Sequence, residues 1–365
     1  MTTLTRRALT ALLAMVLASC TLFGCSSQTA GDEPAESGGR SVAPAAEPET
    51  ETETDRTVTD MKGDEVVVPA DNNTILTVNS VATQMVVMLG GEECVATLGQ
   101  GFQYGDESLN KKMFPGLDGV KAFTRDDATV ENVAVIDPGL VVIDVEDTVS
   151  ALRDAGIPAA FVSVNSPDTI MQAVDIIGGA IGGDAIERAS AYRAFYESAL
   201  AEAQAKSAGI AEDEKPTVLY LRSTEKTTGE GSMPDSWITA AGGVNVAARL
   251  GLSGSGVDIN VETIMNENPS IIICESEQVR DEIMGGAAYA ELDAVKNSQV
   301  YAAPLGTAVW SMGTAEAALM VSWAGTVINP ELYADVDIDA TTTGFFKEFY
   351  GYDLSEAELD AIFHR

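Results

Sequence analysis

Two passages of the chain share one order of polar and apolar positions. "TVENVAVIDPGLVVID" (129–144) and "NVETIMNENPSIIICE" (260–275) each open on a capping residue, Thr129 or Asn260. Each continues with Val-Glu, six further residues, a proline, and an unbroken β-branched run. The pattern predicts a short helix leading into a strand covered on both faces. Around the first passage lie strand patterns at 74–79, 94–101 and 158–165, and helix patterns at 80–91 and 148–156. A hairpin pattern around "MKGD" (61–64) precedes them, and strands alternating with helices at this spacing imply βαβ units and a parallel sheet.

The second half repeats the programme. Strand patterns fall at 217–222, 270–276 and near 300, with helix patterns at 235–251, 260–268, 288–296, 312–328 and 342–363. Between the halves, 166–182 and 184–209 read as helices. The second has no proline and no glycine before Gly209, and would be about 39 Å long if fully helical. The expected fold is α/β: two Rossmann-like lobes with parallel sheets, joined by one long backbone helix. The expected divisions are 1–24, 25–55, 56–165 (N-terminal lobe), 166–210 (connecting helices) and 211–365 (C-terminal lobe with its helices).

The first 55 residues change the picture of location. Arg6 and Arg7 precede a short apolar run, 8–18, as in a lipoprotein signal peptide. Cys25 in "LFGC", with Cys20 in "LASC" as the alternative, is the expected lipidation site. Residues 25–55, rich in Ser, Glu, Pro and Thr, read as a flexible acidic tether. The protein is then a lipid-anchored one facing the extracytoplasmic side of a cell membrane. Against 56 acidic residues stand 21 basic ones, a net charge of −35, which disfavours nucleic acid as a partner. Cys94 and Cys274 fall in separate halves and read as buried thiols.

The candidate chemistry is defined mostly by what is missing. The one histidine is His364, so neither a Ser-His-Asp device nor an imidazole metal site is expected. No phosphate-binding loop of the GxxxxGK[ST] form occurs. Glu131 and Glu262 occupy matching positions two residues after a capping residue. Each carboxylate complements its helix dipole. As a pair, one per lobe, they suit docking on two basic pockets of a two-fold symmetric partner.

From Thr57 to Arg365 the chain resembles ABC-transporter substrate-binding proteins for ferric siderophores, haem and cobalamin, the class III type with a helical backbone. The likeness rests on "VTDMKGDEVVVPA", "VENVAVIDPGLVVI", "LRDAGIPAAFV", "ITAAGGVNVA", "VETIMNENPSIII" and "AYAELDAVKNSQVYAAP", in that order. The resemblance implies capture of a ferric siderophore, haem or corrinoid in the inter-lobe cleft. It also implies delivery to a dimeric permease and its ATPase, with Glu131 and Glu262 pairing with permease arginines. No enzymatic step, resident cofactor or protein-held metal is implied.

The ligand-contact candidates are Tyr104, Arg125, Arg222 and Trp310. Arg125 lies six residues before Glu131, where some siderophore binders of that family place a ligand-contacting arginine. The alternative pairs it on the surface with Asp126 or Asp127. Arg222 ends a C-lobe strand. Tyr104 and Trp310 lie in glycine-flanked loops where a flat side chain suits a macrocycle; Trp310 filling the C-lobe core is the alternative. Asp144, Glu146 and Glu275 near the cleft argue against a highly anionic chelate. They would also be the acids of a rival reading, an extracytoplasmic α/β enzyme. A free-metal-binding lipoprotein is the third reading.

Overall fold

The computed structural model describes residues 54–365. The expectations for the signal segment and tether, with Arg6, Arg7, Cys20 and Cys25, lie outside the described residues. The chain opens with an antiparallel hairpin of β1 (Arg56–Thr59) and β2 (Glu65–Val68). Its turn closes on Asp60, whose buried carboxylate accepts from the backbone of Lys62, Asp64 and Phe161 and from Arg153. Burial alone would raise its pKa. The four donors outweigh burial and lower it.

The N-lobe sheet is parallel throughout. β3 (Ile75–Thr77) and β7 (Ala159–Phe161) flank β6 (Leu140–Ile143), and β4 (Leu98–Gly99) pairs with β5 (Ala122–Phe123). Bridges from Ile75 to Val95 and from Asn79 to Gln100 join the two pieces. Every residue of β6 is buried, which is why its sequence shows no alternation.

The C-lobe sheet is built around β8 (Thr217–Ser223). On one side β8 meets the antiparallel β9 (Lys226–Thr228) and, near its start, the parallel β10 (Val244–Asn245). β11 (Ser255–Asp258) pairs antiparallel with β9. On the other side lie the parallel β12 (Ile271–Cys274) and β13 (Val300–Ala302). At 235–251 the helix pattern is interrupted at its glycines, and a short strand not expected there lies in the gap. The helix stops at Ala240 because Gly242 takes a left-handed φ of 81°, and its N–H bonds to Thr239 O. β10 follows, and Asn245 then caps a second short helix, Val246–Arg249.

One helix, Asp184–Ser207, connects the lobes, spanning roughly 36 Å at 1.5 Å per residue. It packs on the helix Pro167–Ile181 at one side and on Ala317–Ile328 at the other. Its Tyr192 is buried against Phe345 and Phe349, and the hydroxyl donates to Ala315 O at 2.8 Å. Arg188 donates to Met88 O and Phe349 O, at the C-terminal ends of two other helices, where a cation suits the helix dipole. The largest apolar core runs from the N-lobe past this helix into the C-lobe, while separate clusters cover the outer face of each sheet. The lobes are thus bolted together through this helix and the core around it.

Candidate functional site

The repeated passages fold into matching tips. Val130–Ile136 and Val261–Glu267 are seven-residue helices. Thr129 Oγ1 accepts from Asn132 N at 3.3 Å, and Asn260 Oδ1 accepts from Thr263 N at 2.8 Å. Each helix ends on a non-glycine residue in the left-handed region, Asp137 at φ 53° and Asn268 at φ 41°. Asp and Asn bear that conformation better than other side chains. A proline follows, and two residues after it begins a four-residue strand that is wholly buried. Glu131 and Glu262 sit in the first turns, both exposed.

The same strands carry a carboxylate at their far ends, and each carboxylate holds an arginine. Arg125 donates to both oxygens of Asp144, Nε at 2.6 Å and Nη2 at 2.5 Å. Arg222 Nε donates to Glu275 Oε2 at 2.7 Å, and Tyr220 donates to the same oxygen at 3.3 Å. Neither Asp126 nor Asp127 takes Arg125; Asp127 is engaged by Thr124. Arg125 and Asp144 line a cavity of about 260 Å³ with Ser80, Gln100 and Val164. This is the carboxyl end of the N-lobe sheet, where open α/β sheets take ligands.

Two glycines allow the close approaches that shape this region. A Cβ on Gly99 would lie 2.1 Å from Asn79 O, so β4 packs against the start of the first helix only without one. A Cβ on C-lobe Gly313 would lie 2.6 Å from the Val164 side chain. That contact brings the C-lobe loop onto the cavity wall. Two residues earlier in the loop, Ser311 Oγ lies 2.7 Å from Tyr220 Oη. The arginine pair of the C-lobe is therefore linked to the same loop that closes on the N-lobe cavity.

The other expected contacts fall differently. Trp310 does not face the cleft: it is 0% exposed, packed edge-on against Phe363, with its indole N–H bonded to Glu316 at 3.0 Å. The expectation of a ligand contact there is corrected, because the buried Glu316 takes the indole N–H and Phe363 covers the ring. Tyr104 is half-buried, parallel to Phe102, and its hydroxyl donates to Phe114 O at 2.7 Å. Glu146 is paired with Lys62 at 2.5 Å. Cys94 and Cys274 are free and buried. Among the described residues no group of three His, Cys, Asp or Glu side chains stands ready for a metal ion.

Sequence reasoning missed Glu316, which organises the joint between the lobes. It is fully buried and accepts from Thr307 N, Thr307 Oγ1 and Trp310 Nε1. Burial pushes its carboxyl up to about 7, against the opposing pull of these donors. Thr307 is gripped in turn from the N-lobe by Gln84 and Asn110, and Gln84 Oε1 accepts from Ala315 N. The available signal was an acid set inside the apolar run of "GTAEAALM".

A family model described as periplasmic binding protein matches residues 75–305. A cobalamin-binding protein of Halobacterium salinarum is 26% identical over 247 residues, 65% of this chain and 63% of the relative. The chain thus spans just under two thirds of the length of the first curated relatives it matches. A periplasmic solute binding protein from Veillonella parvula superposes with a TM-score of 0.75 at 26% identity, covering 85% of this chain and 97% of that one. The Haemophilus influenzae molybdate-binding protein MolA, at 17% identity and a TM-score of 0.72 over 82% of this chain and 99% of its own, shares the fold. With the matched model covering most of its two lobes, the chain belongs to the periplasmic binding protein family.

Proposed function

We propose that this protein is the substrate-binding component of an ABC importer, taking a ferric siderophore, haem or corrinoid into the cleft and presenting it to a dimeric permease. The observation that carries the reading is the pair of tips. Two helices of equal length, capped alike, ended alike and each bearing an exposed glutamate in the first turn, occur once in each lobe. Two acids held in matched frames suit two matched basic sockets, as a two-fold partner would offer. The stiff connection between the lobes supports the same reading, because it keeps the tips at a set separation.

Arg125 and Arg222 are the proposed ligand contacts, each held at a strand end by its carboxylate. Tyr104 would contribute its ring from the N-lobe side. Cys25, or Cys20, would carry the lipid that holds the protein at the outer face of the membrane. No helix among the described residues is long and apolar enough to cross a membrane. The relatives' names supply the range of cargo: a corrinoid, molybdate or haem.

The test is uptake. Replacing Glu131 and Glu262 together with Ala should leave ligand affinity unchanged and reduce transport by roughly tenfold or more, as loss of two charged docking pairs implies. Undiminished uptake in the double variant would remove the docking role.

A further inference from the structure

The charge of the cleft narrows the cargo. We infer that the cleft selects an overall uncharged or cationic metal complex, rimmed by amide or hydroxyl groups, and discriminates against oxyanions, haem carboxylates and polyanionic chelates. The inference rests on the cleft reading above. Its basis is that both cleft arginines are already neutralised by the protein. Asp144 occupies two N–H groups of Arg125 through both of its oxygens, and Glu275 occupies Arg222 with Tyr220 adding a second donor. The two cations and two carboxylates cancel.

An anionic ligand would have to displace one of these carboxylates and leave it unpaired. Asp144 is only 22% exposed and Glu275 27%, so neither regains full hydration once its arginine turns away. The start of the first helix, Ser80–Met88, also borders the N-lobe cavity, and a helix N-terminus ordinarily attracts anions. Here two of its N–H groups are already supplied with acceptors: Ser80 N donates to Gln100 O, and Ala82 N donates to Asn79 Oδ1. What remains for a ligand is uncharged. Ser80 and Gln100 offer hydroxyl and amide groups, and Val162 and Val164 form apolar wall. Arg125 Nη1 and Arg222 Nη2 bond to no protein acceptor among the described residues and remain free to donate to a neutral carbonyl. The net charge of −35 adds a long-range field that repels anions before they arrive.

The test is calorimetric titration of the purified protein with probes grouped by charge. Cyanocobalamin (overall uncharged) and a cationic ferric trihydroxamate form one group; haemin, a ferric triscatecholate and molybdate form the other. A member of the first group should bind on the order of 100-fold more tightly than any member of the second. Asp144→Asn and Glu275→Gln, which free an arginine without removing the side chain, should each narrow that ratio by roughly tenfold. Tighter binding of an anionic probe by the unaltered protein overturns the inference and leaves the importer reading standing. A ratio unchanged in both folded variants also overturns it. Binding of no probe from either group overturns the chelate reading and this inference together.

Discussion

The passages 129–144 and 260–275 match element for element, yet the carboxyl ends of their strands are finished differently. In the N-lobe the arginine comes from the loop that enters the tip helix, and it clasps Asp144 through both oxygens. In the C-lobe it comes from β8, the neighbouring strand, and shares one oxygen of Glu275 with Tyr220. Tip geometry is thus written locally, in caps, a left-handed stop and a proline. The charge balance at the strand ends is written across the sheet. The tip frames can therefore stay alike while the carboxyl ends of the two sheets diverge.

The joint between the lobes shows the same division, and it yields the largest expected effect. The N-lobe contributes neutral amides, Gln84 and Asn110, whereas the C-lobe contributes the buried acid Glu316. Its folded pKa of about 7 lies above the ordinary 4.5, so the folded chain binds this proton more tightly than the unfolded one. Stability from this group is fully present below pH 4.5 and lost as pH rises through 7, by roughly 3 kcal/mol. Urea melts from pH 5 to 8 should show wild type losing stability relative to Glu316→Gln. Parallel curves would mean that the carboxyl titrates normally and that the asymmetry of the joint carries no charge.

A smaller difference should separate the two strand-end arginines. Arg125→Ala strands Asp144 with no other side-chain donor, whereas Arg222→Ala leaves Glu275 with Tyr220. Both arginines are partly exposed, so solvent screening limits the cost. We expect roughly 1–2 kcal/mol for Arg125→Ala and under about 1 kcal/mol for Arg222→Ala. Equal losses in thermal melts would show that Tyr220 gives Glu275 no support.

What could be read from the chain follows the same line between local and distant. The tips were legible in their element order and caps, with bounds off by up to four residues, because Thr129, Asn260 and the prolines act on their own neighbours. The backbone helix was legible from its unbroken helical residues, ending at Ser207 rather than at Gly209. β9 and β11 were not, because these short strands carry no apolar run and exist through their pairing with β8 and each other. The inward turn of Trp310 and the partner of Arg125, neither Asp126 nor Asp127, were not legible for one reason. Whether a loop side chain turns inward to Glu316, or across to Asp144, depends on groups distant in the fold.

The smallest effect probes the likeness of the tips itself. Both helices are too short to persist alone, so caps and the single buried residue of each, Val133 or Ile264, hold them in place. The Asn260 cap is the shorter bond, 2.8 Å against 3.3 Å at Thr129, and Asn is the stronger capping residue. Asn260→Ala should therefore cost about 1 kcal/mol and Thr129→Ala about half that. Hydrogen exchange at 130–136 and 261–267 would resolve the difference where melts do not. The reverse order would mean that packing beneath Val133 and Ile264, rather than the caps, keeps the glutamates in register, and that the repeated capping residues are incidental to the matched tips.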